Sequence, residues 1–182
     1  MTDTTDSGDA PTIPRPSQLW KQLSAERKQQ AAEAFWQDEA AAAEQAEVVA
    51  SIAQRIKFRL KSVMSMPDDK KARQLVSMPV SELVAARLLV SYHLAHQRPM
   101  MGAFLTALGI AHEDGLIADD DMQPPTVEKL KAAATSLAAS YPADDVSLYL
   151  STLTWQDSET WGALVDAPET GHRVTETQSS TK

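Results

Sequence analysis

The chain has 182 residues, 43% of them hydrophobic, enough to bury the core of one domain without disulfide support. It contains no cysteine, which excludes thiol catalysis, thiolate metal ligation and a disulfide framework together, and makes a reducing compartment, the cytoplasm, the expected location. Twenty-five acidic against 17 basic side chains leave a net charge of −8, which argues against indiscriminate attraction to nucleic acid, and no apolar run approaches the roughly 20 residues that span a bilayer.

Residues 1–16 hold three aspartates but no basic start and no apolar stretch, so they do not read as a secretory signal. Together with residues 167–182 they are rich in Thr, Ser, Asp and Pro and lack periodic apolar positions. Burial could not offset the entropy of ordering them, and both are expected to be disordered tails around a helical domain over 17–166. Between them alanine is abundant, alternating β-branched runs are missing, and no convincing strand is found. The fold class expected is all-α: a helical bundle, or a short solenoid-like array, of about seven to nine helices.

A short turn over 17–23 comes first, then a helix over 25–38 behind a Ser24 cap. The spacing predicts a long helix over 45–64, on which Val48, Val49, Ile52, Ile56, Leu60 and Val63 form one aliphatic arc facing the core. Phe58 points the other way, with Arg55, Arg59 and Lys61 at the borders of its face. Residues 68–76 follow Pro67 and put Asp68 and Asp69 at the positive end of the helix dipole, Arg73 near the negative end. The next helix, 80–97, is apolar on nearly every side, as a central helix is. The exception is Arg87, which must pair with a carboxylate or reach solvent along its stem, or else offer an anion site in a cleft. Residues 100–108 end at Gly109 in a left-handed cap. Thr126 caps 127–141, and two short helices over 146–153 and 159–165 complete the order.

The segments SMPDDKKARQL, from Ser65, and SMPVSELVAARLL, from Ser77, echo one another. With two unequal copies this reads as shared helix-start chemistry rather than a repeat.

Charge is unevenly spread. From Arg55 to Arg73 seven basic residues face two acids, a surplus of five, while the other residues hold ten basic and twenty-three acidic side chains. Glycine loops for phosphate and the nucleophile elbow are missing, and His112-Glu113 lacks the second histidine of a zinc-protease helix. Setting Gly115 at the sixth position of a calcium loop suits Asp114, Ile117 and Asp121, but puts Ile110 and His112 where carboxylates are required. His93 and His96, one turn apart, could form a transition-metal set with His112 and a neighbouring acid. The plainer reading is histidines satisfying a helix end, so neither metal nor cofactor is expected.

The best-supported expectation is therefore a non-enzymatic interaction or adaptor protein whose basic face, Arg55, Phe58, Arg59 and Lys61, engages an acidic protein partner. Phosphate contact by the 55–73 window, making a nucleic-acid-binding protein, is the first alternative. A metalloprotein or enzyme centred on His93, His96 and His112 is the second.

Overall fold

The computed structural model describes residues 14–118 and 122–167, and within them the protein is all-α apart from one small hairpin. Ten α-helices run in order: α1 Pro16–Gln22, α2 Ala25–Gln37, α3 Ala42–Ile56, α4 Leu60–Met64, α5 Asp68–Val76, α6 Glu82–His96, α7 Arg98–Leu108, α8 Val127–Ser140, α9 Ala143–Gln156 and α10 Ser158–Trp161. Single 3-10 turns, Glu39–Ala41 and Gly162–Asp166, precede α3 and follow α10. No helix among the described residues is long and apolar enough to cross a membrane. The expected tails lie mostly outside the described residues. Where they overlap, Pro16 begins α1 and is buried, and Ala167 is buried in the C-terminal core.

Local chemistry sets most boundaries. The Ser24, Ser81 and Thr126 hydroxyls each accept the backbone N–H three residues on, satisfying donors that a helix start leaves bare. The echoed Ser-Met-Pro tripeptides do different jobs: Pro67 is the cap residue of α5, whereas Pro79 lies before Ser81, which caps α6. Gly109 ends α7 at φ 74°, and the Ile110 N–H folds back to the Leu105 carbonyl at 2.9 Å.

The long helix expected over 45–64 is two helices. α3 stops where Lys57 turns left-handed at φ 56°, the Phe58 N–H reaches back to the Ala53 carbonyl at 3.0 Å, and α4 restarts behind an extended Arg59. A left-handed lysine is uncommon because its Cβ crowds the carbonyl. The break resets the helical phase. Val48, Val49, Ile52 and Val63 still reach the core, but Leu60, expected beside them, is half exposed.

The buried side chains form two clusters. One gathers α1 to α6 around Phe35, Ile52, Leu75 and Leu88, and the other gathers α7 to α10 around Phe104, Leu130, Leu150 and Trp161. α9 serves both: Leu148 packs into the first, Val146 and Tyr149 into the second. A run of ring contacts crosses the junction, from Tyr92 to His93 at 5.7 Å, His93 to Tyr149 at 5.4 Å, and Tyr149 to Phe104 at 5.7 Å.

Candidate functional site

The three histidines of the 92–121 stretch go to three different tasks. His93 is buried between α6 and α9, where its ring nitrogen Nε2 lies 3.2 Å from the Thr152 hydroxyl. That hydroxyl spends its proton on the Leu148 carbonyl at 2.8 Å, so it can only accept from His93, which fixes the proton on Nε2. Nδ1 then carries a bare lone pair with no partner among the described residues. Burial holds the His93 pKa down to about 3, far below the ordinary histidine value, because a charge there would be stripped of water.

His112 belongs to the hairpin that the sequence reading missed. β1 His112–Glu113 pairs antiparallel with β2 Leu116–Ile117 around Asp114-Gly115, both at positive φ, the two-residue turn that Asp-Gly favours between short strands. The Gly115 N–H donates to His112 Nδ1 at 3.4 Å, leaving Nε2 to carry the proton to the Thr106 hydroxyl at 2.8 Å. Arg98 holds the turn, reaching the Asp114 carboxylate at 3.4 Å and the Leu94 carbonyl at 2.8 Å. His96 is exposed and leans on the Tyr92 ring at 5.3 Å. No three His, Cys, Asp or Glu among the described residues are grouped to hold a metal ion. Asp121 of the compared calcium loop lies outside them.

Arg87 projects from α6 towards two carboxylates, Asp38 and Glu44, each at 3.9 Å. Asp38 is the better satisfied, accepting the Ser91 hydroxyl at 2.8 Å and the Ala40 N–H at 3.0 Å. An added anion would have to displace both acids. Asp38 also lines an open cleft of about 610 Å³ with Glu33, Glu39, Asp68 and Asp69, to which His96 and Arg98 contribute as well. Four of these acids are engaged within the chain: Asp68 meets Lys71 at 2.7 Å, Asp69 meets Arg73 at 2.8 Å, Glu33 accepts from Gln29 at 2.8 Å, and Asp38 accepts from Ser91.

The face predicted around Phe58 becomes an elbow rather than a helix side. Phe58 is 56% exposed, and Leu60 and Met64, one turn apart on α4, are 51% and 63% exposed. Arg55, expected to border the face, is tied down, donating from Nη1 to the Ser77 carbonyl at 2.8 Å and hydroxyl at 3.0 Å. Lys57, Arg59 and Lys61 are exposed and have no ion-pair partner among the described residues. Beside them Leu60 and Met64 form one wall of a groove of about 280 Å³, completed by Trp36, Ala46, Val49 and Lys71. Lys71 Nζ sits 4.4 Å over the Trp36 ring, a cation–π contact. The Trp36 indole N–H is buried and has no acceptor among the described residues. Compared with known families, curated proteins and solved structures, the chain matches no family model, no curated protein and no solved structure.

Proposed function

We propose that this protein is a non-enzymatic adaptor that engages an acidic protein partner at the elbow between α3 and α4. The observation that carries this is Phe58, an aromatic ring 56% exposed at the tip of a backbone turn and flanked by Lys57, Arg59 and Lys61, cations with no ion-pair partner among the described residues. A lone exposed aliphatic is ordinary, but an aromatic beside two further exposed apolar side chains makes a patch, and such patches mark contact surfaces. Aromatic anchors inside a charged rim are the usual energetic centre of protein interfaces. The surrounding cations would speed encounter with an acidic surface and select against basic ones. A net charge of −8 weighs against a phosphate polymer as the occupant.

The test is binding of a fluorescein-labelled acidic peptide, followed by anisotropy, to the parent and to Phe58→Ser and Arg59→Glu variants. Binding should weaken with added salt, weaken in Phe58→Ser and weaken further in Arg59→Glu, while circular dichroism stays that of the parent. Peptide binding indifferent to both changes, or a random-sequence DNA duplex binding more tightly than the peptide, would overturn the reading.

A further inference from the structure

The groove beside Phe58 says more about the occupant than its charge. We infer that the partner segment is an acidic amphipathic helix whose aliphatic side chain seats between Leu60 and Met64, against Trp36 and Val49; this rests on the docking reading above. The groove, about 280 Å³, falls at or below the range of small-molecule sites, about 300–1,000 Å³, and has the scale of a slot for a side chain rather than for a cofactor. Its walls are chiefly apolar, and two of them, Leu60 and Met64, are among the most exposed large apolar side chains of the described residues. Methionine at such a wall repacks readily around different aliphatic shapes.

Charge complementarity selects an acidic segment. Lys61 and Lys71 stand on the two helices that flank the groove, α4 and α5, with Lys57 and Arg59 at the elbow. α3 contributes small residues to the lining, Ala42 and Ala46, which let a helix approach closely. The Trp36 indole N–H is a second, independent mark. Buried indole donors are ordinarily satisfied, and this one, on a residue that lines the groove, has no acceptor among the described residues. Because that nitrogen is out of reach of solvent, an occupant's carboxylate would accept from it only after a local rearrangement. Lys71 is the side chain placed to adjust, since it already holds both the Trp36 ring and Asp68 and can exchange one carboxylate for another.

Helical peptides with aliphatic residues three and four apart read such grooves through their anchors. The probes are therefore two labelled peptides of roughly 14 residues, four helical turns, with the same glutamates. One carries leucines at that spacing and the other serines in their place. The leucine peptide should bind at least roughly tenfold more tightly, and Leu60→Ser and Met64→Ser should remove most of that advantage without altering the serine peptide's binding. In a nitrogen–proton spectrum of the full chain, the indole signal assigned through Trp36→Phe should shift with the leucine peptide.

Equal binding of both peptides would overturn the groove while leaving the basic elbow as a docking face. Failure of both peptides would overturn the elbow as well. Sedimentation of the chain as a dimer that Leu60→Ser dissociates would give the groove to a second copy. A rise in peptide affinity when Asp3, Asp6 and Asp9 are changed to Asn would give it to the chain's own first residues. Either result overturns the inference.

Discussion

His93 donates its Nε2–H to the Thr152 hydroxyl at 3.2 Å, across the packed faces of α6 and α9 where the two buried clusters meet. The bond fixes the histidine as a neutral group at the junction. Its other nitrogen, Nδ1, has no hydrogen-bond partner among the described residues, so protonation would place a positive charge beside Tyr92, Tyr149 and Thr152 on a new N–H that finds no acceptor among those residues.

The stability of the protein should therefore fall with acid from a histidine, not only from carboxylates. Above pH 6.5, the ordinary histidine value, folded and unfolded chains are both neutral at this position and the full stability is present. Below it the unfolded chain takes up a proton that the folded chain refuses until about pH 3, so stability is lost across that window. Between pH 7 and 4 the histidine alone should remove about 3 kcal/mol. His93→Phe keeps a ring against Tyr149 and removes the titration. Urea melts at the two pH values should show the parent losing more stability than the variant by about that amount, and equal losses would contradict it.

The hairpin glycine gives a second comparison. Gly115 has φ 79°, and a Cβ placed there would meet the Arg98 carbonyl oxygen and the Met101 Cβ at 2.9 Å each. Gly109 has a similar φ of 74° with open space around it. Alanine at 109 should cost only the left-handed penalty, about 1–2 kcal/mol, whereas alanine at 115 adds a backbone collision and should cost more, with exposed amides across 112–117 exchanging faster. Equal melting temperatures for the two variants would show that the hairpin lifts off α7 at little cost.

Much of this architecture was written in local chemistry. α5 is found where Pro67, Asp68, Asp69 and Arg73 place it, and α8 begins at its Thr126 cap. The hairpin was legible too, in the Asp114-Gly115 pair, but two-residue strands are too short to leave an alternating pattern around it. α9 starts three residues before its expected place, at Ala143 behind Pro142, with Asp144 and Asp145 in its first turn. The break at Lys57 left no such trace, since Arg-Ile-Lys-Phe-Arg holds neither glycine nor proline. It follows from tertiary packing: Ile52 and Val63 both reach the core, and the chain bends at Lys57 between them. For the same reason the sequence was right about the exposure of Phe58 but placed Leu60 in the core, and it counted Arg55 among the docking residues where the structure ties it to Ser77.

Arg87 illustrates how distance decides worth. Both of its carboxylates lie at 3.9 Å, the outer limit of an ion pair, and its side chain keeps about 29% of its surface in solvent. Arg87→Met should cost no more than about 1 kcal/mol, because a partly exposed pair is screened and the methionine stem preserves the packing. Asp38→Ala should cost more, about 1–2 kcal/mol, since it strips the Ala40 N–H of its side-chain acceptor and leaves the Ser91 hydroxyl only the Arg87 carbonyl, at 2.9 Å. Chemical denaturation of the two variants checks the order, and a reversal would make Arg87 the keystone of the α2–α6 contact.

Phe58 and Phe35 are the same residue type at opposite extremes of burial, and that difference decides what each is for. Phe35 is fully enclosed, in edge contact with Trp36 at 5.2 Å. Truncation to alanine there removes buried area and leaves a cavity, and should cost about 3–5 kcal/mol. Phe58 keeps 56% of its surface in water and stands at a turn whose backbone bond to Ala53 does not involve the ring. Phe58→Ser should therefore change the melting temperature by no more than a surface substitution does, within about 0.5 kcal/mol, and slightly raise solubility by removing an apolar patch. The serine also leaves the left-handed geometry to Lys57, so the elbow keeps its shape and a binding defect can be assigned to the missing ring. A drop approaching that of Phe35→Ala would mean that the ring holds α3 to α4 in solution, and the argument for a docking anchor at this elbow would fall with it.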